Sequence, residues 1–283
     1  MTALQAAILG AVQGITEFLP ISSSGHLVLV PWIFGWHLFA GNPDLNKTFD
    51  VALHLGTFLA VLVFMYREVG RILAAFFGSI WRRRVRSKEE KLAWLLLIST
   101  IPAGLAGVVF ESFIEDKLGQ PLIIAILLIV FGAVMWAVDS RAKLTKGLDS
   151  LRWGHALMVG VAQALALAPG VSRSGVTVTA LRGLGLKREE AVRYAFLLSI
   201  PVVGGAALYK ALQLFRHGGL PAGMGQPFLL GIVTSAIFGF CAVWFLLRFL
   251  RHHSLRGFVW YRFALGAAVL LVIAFGVRAG TGF

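Results

Sequence analysis

The sequence has few charged residues and almost no cysteine. Only 14% of its residues are charged, whereas soluble domains average about 25%. Together with 58% hydrophobic residues and a mean hydropathy of +0.82, this scarcity excludes an ordinary soluble domain and indicates a polytopic membrane protein. The single cysteine, Cys241, lies within an apolar run, which excludes a disulfide framework and a thiolate metal cluster.

Acidic residues are half as frequent as basic ones, and the net charge is +13. The basic residues lie in short connections between apolar runs rather than on one amphipathic face, so we expect no nucleic-acid partner. The N-terminus lacks a basic segment and a small-residue cleavage site. We therefore do not expect a removable signal peptide.

Six apolar runs are long enough to cross a bilayer. Each group of three runs follows a shorter, broken stretch: residues 1–36, interrupted at Pro20, and residues 153–182, split at Pro169 and Gly170. The limbs of the first stretch fall short of the ~20 residues that a full crossing needs. We interpret both stretches as re-entrant hairpins, whose irregular backbone must be walled by protein or line a wet cavity. The six runs cover approximately 49–66, 92–110, 121–138, 191–209, 227–247 and 258–277.

Basic residues are concentrated on one set of connections. The connection 67–91 holds eight Lys and Arg, and the stretches 139–152, 182–193 and 248–262 hold four each, so this set holds 20 of the 26. The positive-inside rule places this set in the cytoplasm. The first hairpin then enters from outside, the second enters from inside, and both termini lie outside.

The two halves of the chain share short sequence matches around their hairpins. ILGAVQ at 8–13 matches MVGVAQ at 158–163, and Ser22, Ser24 and Gly25 match Ser172, Ser174 and Gly175 at the same offset. This pattern indicates an inverted-topology repeat. We predict an all-α polytopic membrane protein with six transmembrane helices and two re-entrant helical hairpins. Residues 1–283 form a single membrane domain, with repeat one at about 1–140 and repeat two at about 150–283.

The first hairpin carries a polar cluster within an apolar segment. Gln13 and Glu17 are four residues apart and share a helix face. They form either a helix-packing polar pair or a metal ligand and general base, and an intramembrane carboxylate is a functional candidate by default. Ser22, Ser23 and Ser24 precede the second limb, where free N–H groups and serine hydroxyls suit a phosphate.

His26 follows the serines, at a spacing that puts it within reach of Ser23. It is either a structural histidine or the proton partner of a serine nucleophile. The second hairpin carries Ser172, Arg173 and Ser174, and a guanidinium at this depth needs an anion. That anion is either Glu17, in a structural pair, or a bound phosphate. We predict that the two hairpins meet in the membrane and form one site suited to pyrophosphate. Asp50 and His54 rank lower, as supporting or interface residues.

The family resemblance of the chain depends on two long motifs, QGITEFLPISSSGHL at 13–27 and PGVSRSG at 169–175. Two shorter motifs support it, FDVALHLGT at 49–57 and TIPAGLAG at 100–107. The chain resembles the undecaprenyl-diphosphate phosphatase family of bacitracin-resistance membrane proteins. The resemblance implies hydrolysis of undecaprenyl diphosphate to undecaprenyl phosphate and phosphate. It implies a location in the bacterial cytoplasmic (inner) membrane with the site facing outward, where the lipid carrier is recycled for peptidoglycan synthesis.

The resemblance also assigns roles by position. It implies that Glu17, Ser23, His26 and Arg173 are catalytic, and that a divalent cation, Mg²⁺ or Ca²⁺, is held by Glu17 and Gln13. Many family members have Glu where this chain has Gln13, and an amide binds such a cation more weakly. The expected partners are the polyprenyl diphosphate, membrane lipids and a second copy in a homodimer. The expected diphosphate-binding residues are Ser22, Ser24, Gly25, Ser172, Ser174 and Gly175.

Two chemical routes stay open at this point. In one, Ser23 attacks the terminal phosphorus while His26 handles its proton, and water then hydrolyses a phosphoserine. In the other, Glu17 or His26 activates water directly. The main rival function is a lipid-phosphate flippase or secondary transporter, because inverted repeats with broken helices are typical of transporters. A non-catalytic envelope scaffold is the weaker rival.

Overall fold

The computed structural model describes residues 1–143, 145–216, 220 and 223–280. Within these residues the chain forms eleven α-helices and no β-strand. The helices are α1 Ala3–Phe18, α2 Ser23–Phe34, α3 Pro43–Phe64, α4 Tyr66–Trp81, α5 Lys88–Phe113, α6 Pro121–Arg141, α7 Trp153–Ala164, α8 Arg173–Gly183, α9 Arg188–Arg216, α10 Gly225–Phe249 and α11 Arg256–Ala274. Short turns of helix lie at Leu38–Gly41, Ile114–Leu118, Leu148–Ser150 and Leu165–Leu167.

Six helices in the described part of the chain are long and apolar enough to span a membrane: α3, α5, α6, α9, α10 and α11. They coincide with the six apolar runs, so the prediction of six membrane-spanning helices is confirmed in number and position. Three of them begin at least three residues earlier than the predicted runs, at Pro43, Lys88 and Arg188. The helices that begin at Lys88 and Arg188 each carry two glutamates in their first turn, where the helix dipole favours negative charge.

Part of the basic connection 67–91 is helical, which the charge pattern alone does not predict. Helix α4 packs against α5, and the Trp94 indole N–H donates to the Ser79 hydroxyl across this contact at 2.9 Å. Ile72 is buried, whereas Leu73 and Phe77 are exposed. Helix α4 therefore packs against the bundle with one face and leaves apolar side chains outside it.

The two broken stretches form two short helical hairpins. Helices α1 and α2 have 16 and 12 residues, and α7 and α8 have 12 and 11. The second helix of each hairpin begins after a serine with positive φ, 75° at Ser22 and 76° at Ser172. Each serine hydroxyl accepts the N–H of a glycine three residues later, Gly25 at 3.3 Å and Gly175 at 3.1 Å. The matched sequences thus produce matched helix caps.

Glycines let the first helix of each hairpin approach a spanning helix closely. A Cβ at Gly14 would lie 2.7 Å from the backbone nitrogen of Gly239 on α10, and a Cβ at Gly160 would lie 2.7 Å from the carbonyl oxygen of Ser99 on α5. Close backbone approach at small residues is a common way to pack membrane helices. Helix α1 therefore lies against α10, and α7 lies against α5.

Candidate active site

Glu17 is the centre of the polar cluster at the hairpin tips. Its side chain is 4% exposed, and it lies at the C-terminal end of α1. One carboxylate oxygen accepts from the Arg173 guanidinium. The other accepts from the Ser23 hydroxyl at 2.5 Å and from the Gln13 amide at 3.1 Å. The predicted meeting of Glu17 and Arg173 is therefore present, across 156 residues of sequence.

Serine hydroxyls link the two tips to each other as well. The Gly170 backbone N–H donates to the Ser22 hydroxyl at 3.0 Å, and the Ser174 hydroxyl donates to the Leu19 carbonyl at 3.0 Å. Each bond satisfies an irregular backbone group of the opposite hairpin, which matters because such groups have no water partner in a bilayer. Ser22 and Ser174 thus tie the tips together.

A cavity of about 230 Å³ opens beside the Glu17–Arg173 pair. Helices α3 and α9 provide its apolar wall through residues such as Val51 and Val202. Arg173 is 19% exposed, so part of its guanidinium is accessible despite the ion pair. The polar lining consists of Glu17, Ser23, Ser24, His54, Ser172 and Arg173. This lining offers a cation and hydroxyl donors to an anion, and a carboxylate to take up a proton.

A larger cavity, of about 520 Å³, lies at the basic connection between α4, α5 and α9. It is lined by Arg71, Lys91 and Arg193 together with acidic residues such as Glu68 and Glu190. None of the site residues predicted from the sequence lines it. Some of its charges pair with one another, as Arg193 does with Glu68 and Lys88 does with Asp149, so size alone does not make it the candidate site.

His26 is near the serines but does not face Ser23, contrary to the predicted proton exchange between them. Its Nδ1 lies 2.7 Å from the Ser22 carbonyl and its Nε2 lies 2.7 Å from the Tyr261 hydroxyl. A carbonyl only accepts, so these partners assign the hydrogen to Nδ1 and leave Nε2 to accept from the hydroxyl. Both nitrogens are occupied, and His26 is absent from the cavity lining. The Tyr261 contact, 235 residues away, has no local sequence signal.

His54, rather than His26, is the histidine that lies beside the polar cluster at the cavity. Its Nε2 lies 3.6 Å from the Glu17 carboxylate, and its side chain lines the cavity. Its Nδ1 pairs with the Asp50 backbone carbonyl at 2.7 Å, so the carbonyl of Asp50, rather than its carboxylate, orients the ring. The available signal was the four-residue spacing within FDVALHLGT, which sequence analysis ranked below the serine cluster.

The site contains little that could hold a metal by itself. Among the described residues, no three His, Cys, Asp or Glu side chains come together, and both Glu17 oxygens already accept hydrogen bonds. Gln13 is fully buried and its amide oxygen has no partner, but Gln13 does not line the cavity. Mg²⁺ usually binds through one or two carboxylates plus substrate phosphates and waters. The cavity lining therefore fits a divalent cation only with Glu17 as its carboxylate ligand and with further oxygen ligands from outside the protein.

The chain matches a known family over most of its length. The family model described as Bacitracin resistance protein BacA matches residues 6–268. The undecaprenyl-diphosphatase of Pelobacter propionicus is 45% identical over 278 residues, which cover 98% of this chain and 99% of that protein. The undecaprenyl-diphosphatase of Trichlorobacter lovleyi is 46% identical over 282 residues, with 98% and 99% covered. That of Geobacter metallireducens is 44% identical over 274 residues, with 96% and 99% covered.

The ion pair predicts a specific pattern of stability losses. Arg173→Met should lower the free energy of unfolding by about 3 kcal/mol, because it leaves the buried Glu17 carboxylate without its cation. Adding Glu17→Gln should recover most of this loss, since no uncompensated charge then remains. Denaturant titration in mixed micelles measures both changes. The exposed-site control, Arg84→Met, should stay within about 0.5 kcal/mol of wild type, and strictly additive losses at Glu17 and Arg173 would contradict the pairing.

Proposed function

Because the chain belongs to the bacitracin resistance protein BacA family, we propose that it hydrolyses undecaprenyl diphosphate to undecaprenyl phosphate and inorganic phosphate. This is a phosphatase reaction that recycles the lipid carrier of peptidoglycan synthesis and confers bacitracin resistance. The observation that carries the proposal is the convergence of Glu17, Ser23 and Arg173 at one cavity, on the motifs that the family shares. The names of the relatives do not favour the flippase or transporter alternative.

Arg173 is the residue best placed to receive the diphosphate. A guanidinium binds phosphate oxygens through two parallel N–H bonds, and Arg173 is the first residue of α8, where free N–H groups and the helix dipole also favour an anion. Ser23 is likewise the first residue of α2. The diphosphate therefore binds between two helix N-termini, and its oxygens compete with Glu17 for the guanidinium.

Ser23 is positioned to act as the nucleophile, with Glu17 as its base. The Ser23 hydroxyl already donates to the carboxylate at 2.5 Å, which is the direction of proton transfer that attack requires. The serine oxygen forms a bond to the terminal phosphorus while the bond to the bridging oxygen breaks, and undecaprenyl phosphate leaves. Water then hydrolyses the phosphoserine. This assignment gives Glu17 the proton-handling role that the sequence assigned to His26.

His54 supports the competing route, in which water attacks directly. Its Nε2 lies beside Glu17 at the cavity, so the two groups could share one proton of an attacking water. In either route most of the rate enhancement comes from positioning and charge neutralisation, as in phosphoryl transfer generally. Glu17 is the residue that would hold a divalent cation, which would supply additional charge neutralisation to the diphosphate.

The short hairpins are proposed to be re-entrant and related by an inverted-topology repeat. The helices α1, α2, α7 and α8 are all shorter than the ~20 residues of a full crossing. The first helix of each hairpin also packs on a spanning helix of the other half, as such a repeat requires. Helix α1 packs on α10, which is the second spanning helix after α8. Helix α7 packs on α5, which is the second spanning helix after α2. Gly10 and Gly160, which occupy matching positions, make these two contacts.

The cavity is proposed to open toward the outer face of the bacterial cytoplasmic membrane. It is lined by Val51 and His54 near the middle of α3 and by Ala206 and Ala207 from the second half of α9. The N-terminal end of α3 and the C-terminal end of α9 adjoin connections that carry few basic residues, which the positive-inside rule places outside. This orientation predicts that a reporter fused within 82–88 is cytoplasmic and that one fused within 217–222 is external; the opposite result would contradict it.

Phosphate release tests the proposed reaction directly. Purified protein in detergent should release phosphate from undecaprenyl diphosphate with no membrane gradient, and a chelator should abolish the release until Mg²⁺ is restored. Arg173→Ala should lower kcat/KM by about 100-fold or more, the scale of losing one positioned charge donor, while the exposed control Arg84→Ala should retain wild-type activity. A wild-type protein that binds the lipid but releases no phosphate would favour the carrier function instead.

The nucleophile can be identified by trapping the intermediate. With substrate labelled at the terminal phosphate, a rapid acid quench should leave label on Ser23, because a phosphoserine lies on the proposed route. Ser23→Ala should abolish both the trapped label and most of the turnover. Ser24→Ala serves as the neighbouring control and should still form the labelled serine. A Ser23→Ala protein that retains most of its turnover would instead establish direct attack by water.

A further inference from the structure

Arg262 on α11 is a buried arginine that the proposed chemistry does not use. It is 1% exposed, and no acidic side chain in the described part of the chain pairs with it. Its five N–H donors match five backbone carbonyl oxygens at 2.8–3.4 Å. Nε donates to Leu128, Nη1 donates to Pro20 and Val171, and Nη2 donates to Leu127 and Gly170.

These acceptors belong to three separate parts of the fold. Pro20 lies in the tip of the first hairpin, Gly170 and Val171 lie in the tip of the second, and Leu127 and Leu128 lie on α6. One guanidinium therefore fastens both tips to each other and to a spanning helix. A lysine could not replace it, since an ammonium has three donors on a single nitrogen and no planar fork.

The tip carbonyls that Arg262 binds lie one or two residues before the two serine caps. Pro20 lies two residues before Ser22, and Val171 lies next to Ser172. Both serines adopt a positive φ, a strained conformation for a residue with a side chain, which persists only where the surroundings enforce it. The caps determine where α2 and α8 begin, and their first residues are Ser23 and Arg173.

We propose that Arg262 is a positioning residue for the phosphatase reaction, holding the two hairpin tips in the register that sets Ser23 against Arg173. The proposal rests on the function assigned above. Arg262 does not line the cavity beside Glu17, so it acts through the backbone of the tips rather than on the substrate. Loss of its fork should change the alignment of the reacting groups more than the affinity for the lipid.

Arg182 on α8 provides a matched control. It is equally buried, at 0% exposure, and it also donates to backbone carbonyls, those of Leu186 and Ala142. It differs in pairing with the Asp139 carboxylate, and none of its hydrogen bonds within the described part of the chain reaches either tip. A replacement at Arg182 therefore reports the general cost of disturbing a buried arginine.

The first measurement is kcat per folded molecule for Arg262→Lys and Arg262→Gln, with Arg182→Lys as control. For the Arg262 variants, kcat should fall by about 10- to 100-fold, as expected for a displacement of about 1 Å between reacting groups, and KM should change little. Arg182→Lys should lower the melting temperature but keep kcat per folded molecule near wild type. An equal fall in all three variants, or none at Arg262, would overturn the proposal.

The second measurement is the chemical accessibility of position 23 in the first hairpin tip, and it does not depend on activity. Ser23→Cys, in a Cys241→Ala background that removes the native exposed thiol, is labelled with a water-soluble maleimide. Adding Arg262→Lys should change the labelling rate several-fold, whereas adding Arg182→Lys should leave it unchanged. Unchanged labelling with Arg262→Lys would overturn the proposal.

The two measurements separate this inference from the proposed function. If the wild-type protein released no phosphate, the phosphatase assignment would fail, and the labelling would still decide whether Arg262 holds the tips. If both Arg262 variants failed to fold while Arg182→Lys folded, Arg262 would be a determinant of the fold as a whole. That result would also overturn a specific positioning role.

Discussion

The ion pair between Glu17 and Arg173 is the interaction on which the site depends. Each group is an ionisable side chain in an apolar environment, where an unpaired charge is far more costly than a paired one. Their hairpins are separated by three spanning helices and the basic connection, so pairing them brings two distant segments face to face. In the reaction proposed above, a substrate diphosphate replaces Glu17 as the anion on Arg173, and the same carboxylate then accepts the Ser23 proton.

The tips also have to satisfy their own backbone. The breaks between the short helices leave backbone N–H and C=O groups outside regular helix, and the fold pairs some of them across the two tips. Ser22 accepts a backbone N–H of the second hairpin, and Ser174 donates to a carbonyl of the first. Arg262 donates to three further tip carbonyls, those of Pro20, Gly170 and Val171. The serine-rich motifs are therefore structural at some positions, while Ser23 and Ser24 face the cavity.

The two histidines show why the spacing of residues in the sequence could not identify the histidine at the cavity. His26 and His54 make the same local contact, each through Nδ1 to the carbonyl four residues earlier. Their difference lies entirely in what faces Nε2. For His26 it is the Tyr261 hydroxyl on α11, and for His54 it is the Glu17 carboxylate on α1. Packing of distant helices, and not sequence spacing, selects the histidine that borders the cavity.

The sequence by itself determined the membrane class, the six spanning helices and the residues Glu17, Ser23 and Arg173, because hydropathy, span length and contiguous motifs are local properties of the chain. Helix α4 within the basic connection, the position of His54 and the five carbonyls around Arg262 came only from the tertiary structure. The sequence shows that an arginine within an apolar segment needs hydrogen-bond acceptors. It does not show which backbone carbonyls accept, because every residue has one. Their identity follows from which helices pack together, and for Arg262 this joins residues 91 to 242 positions apart.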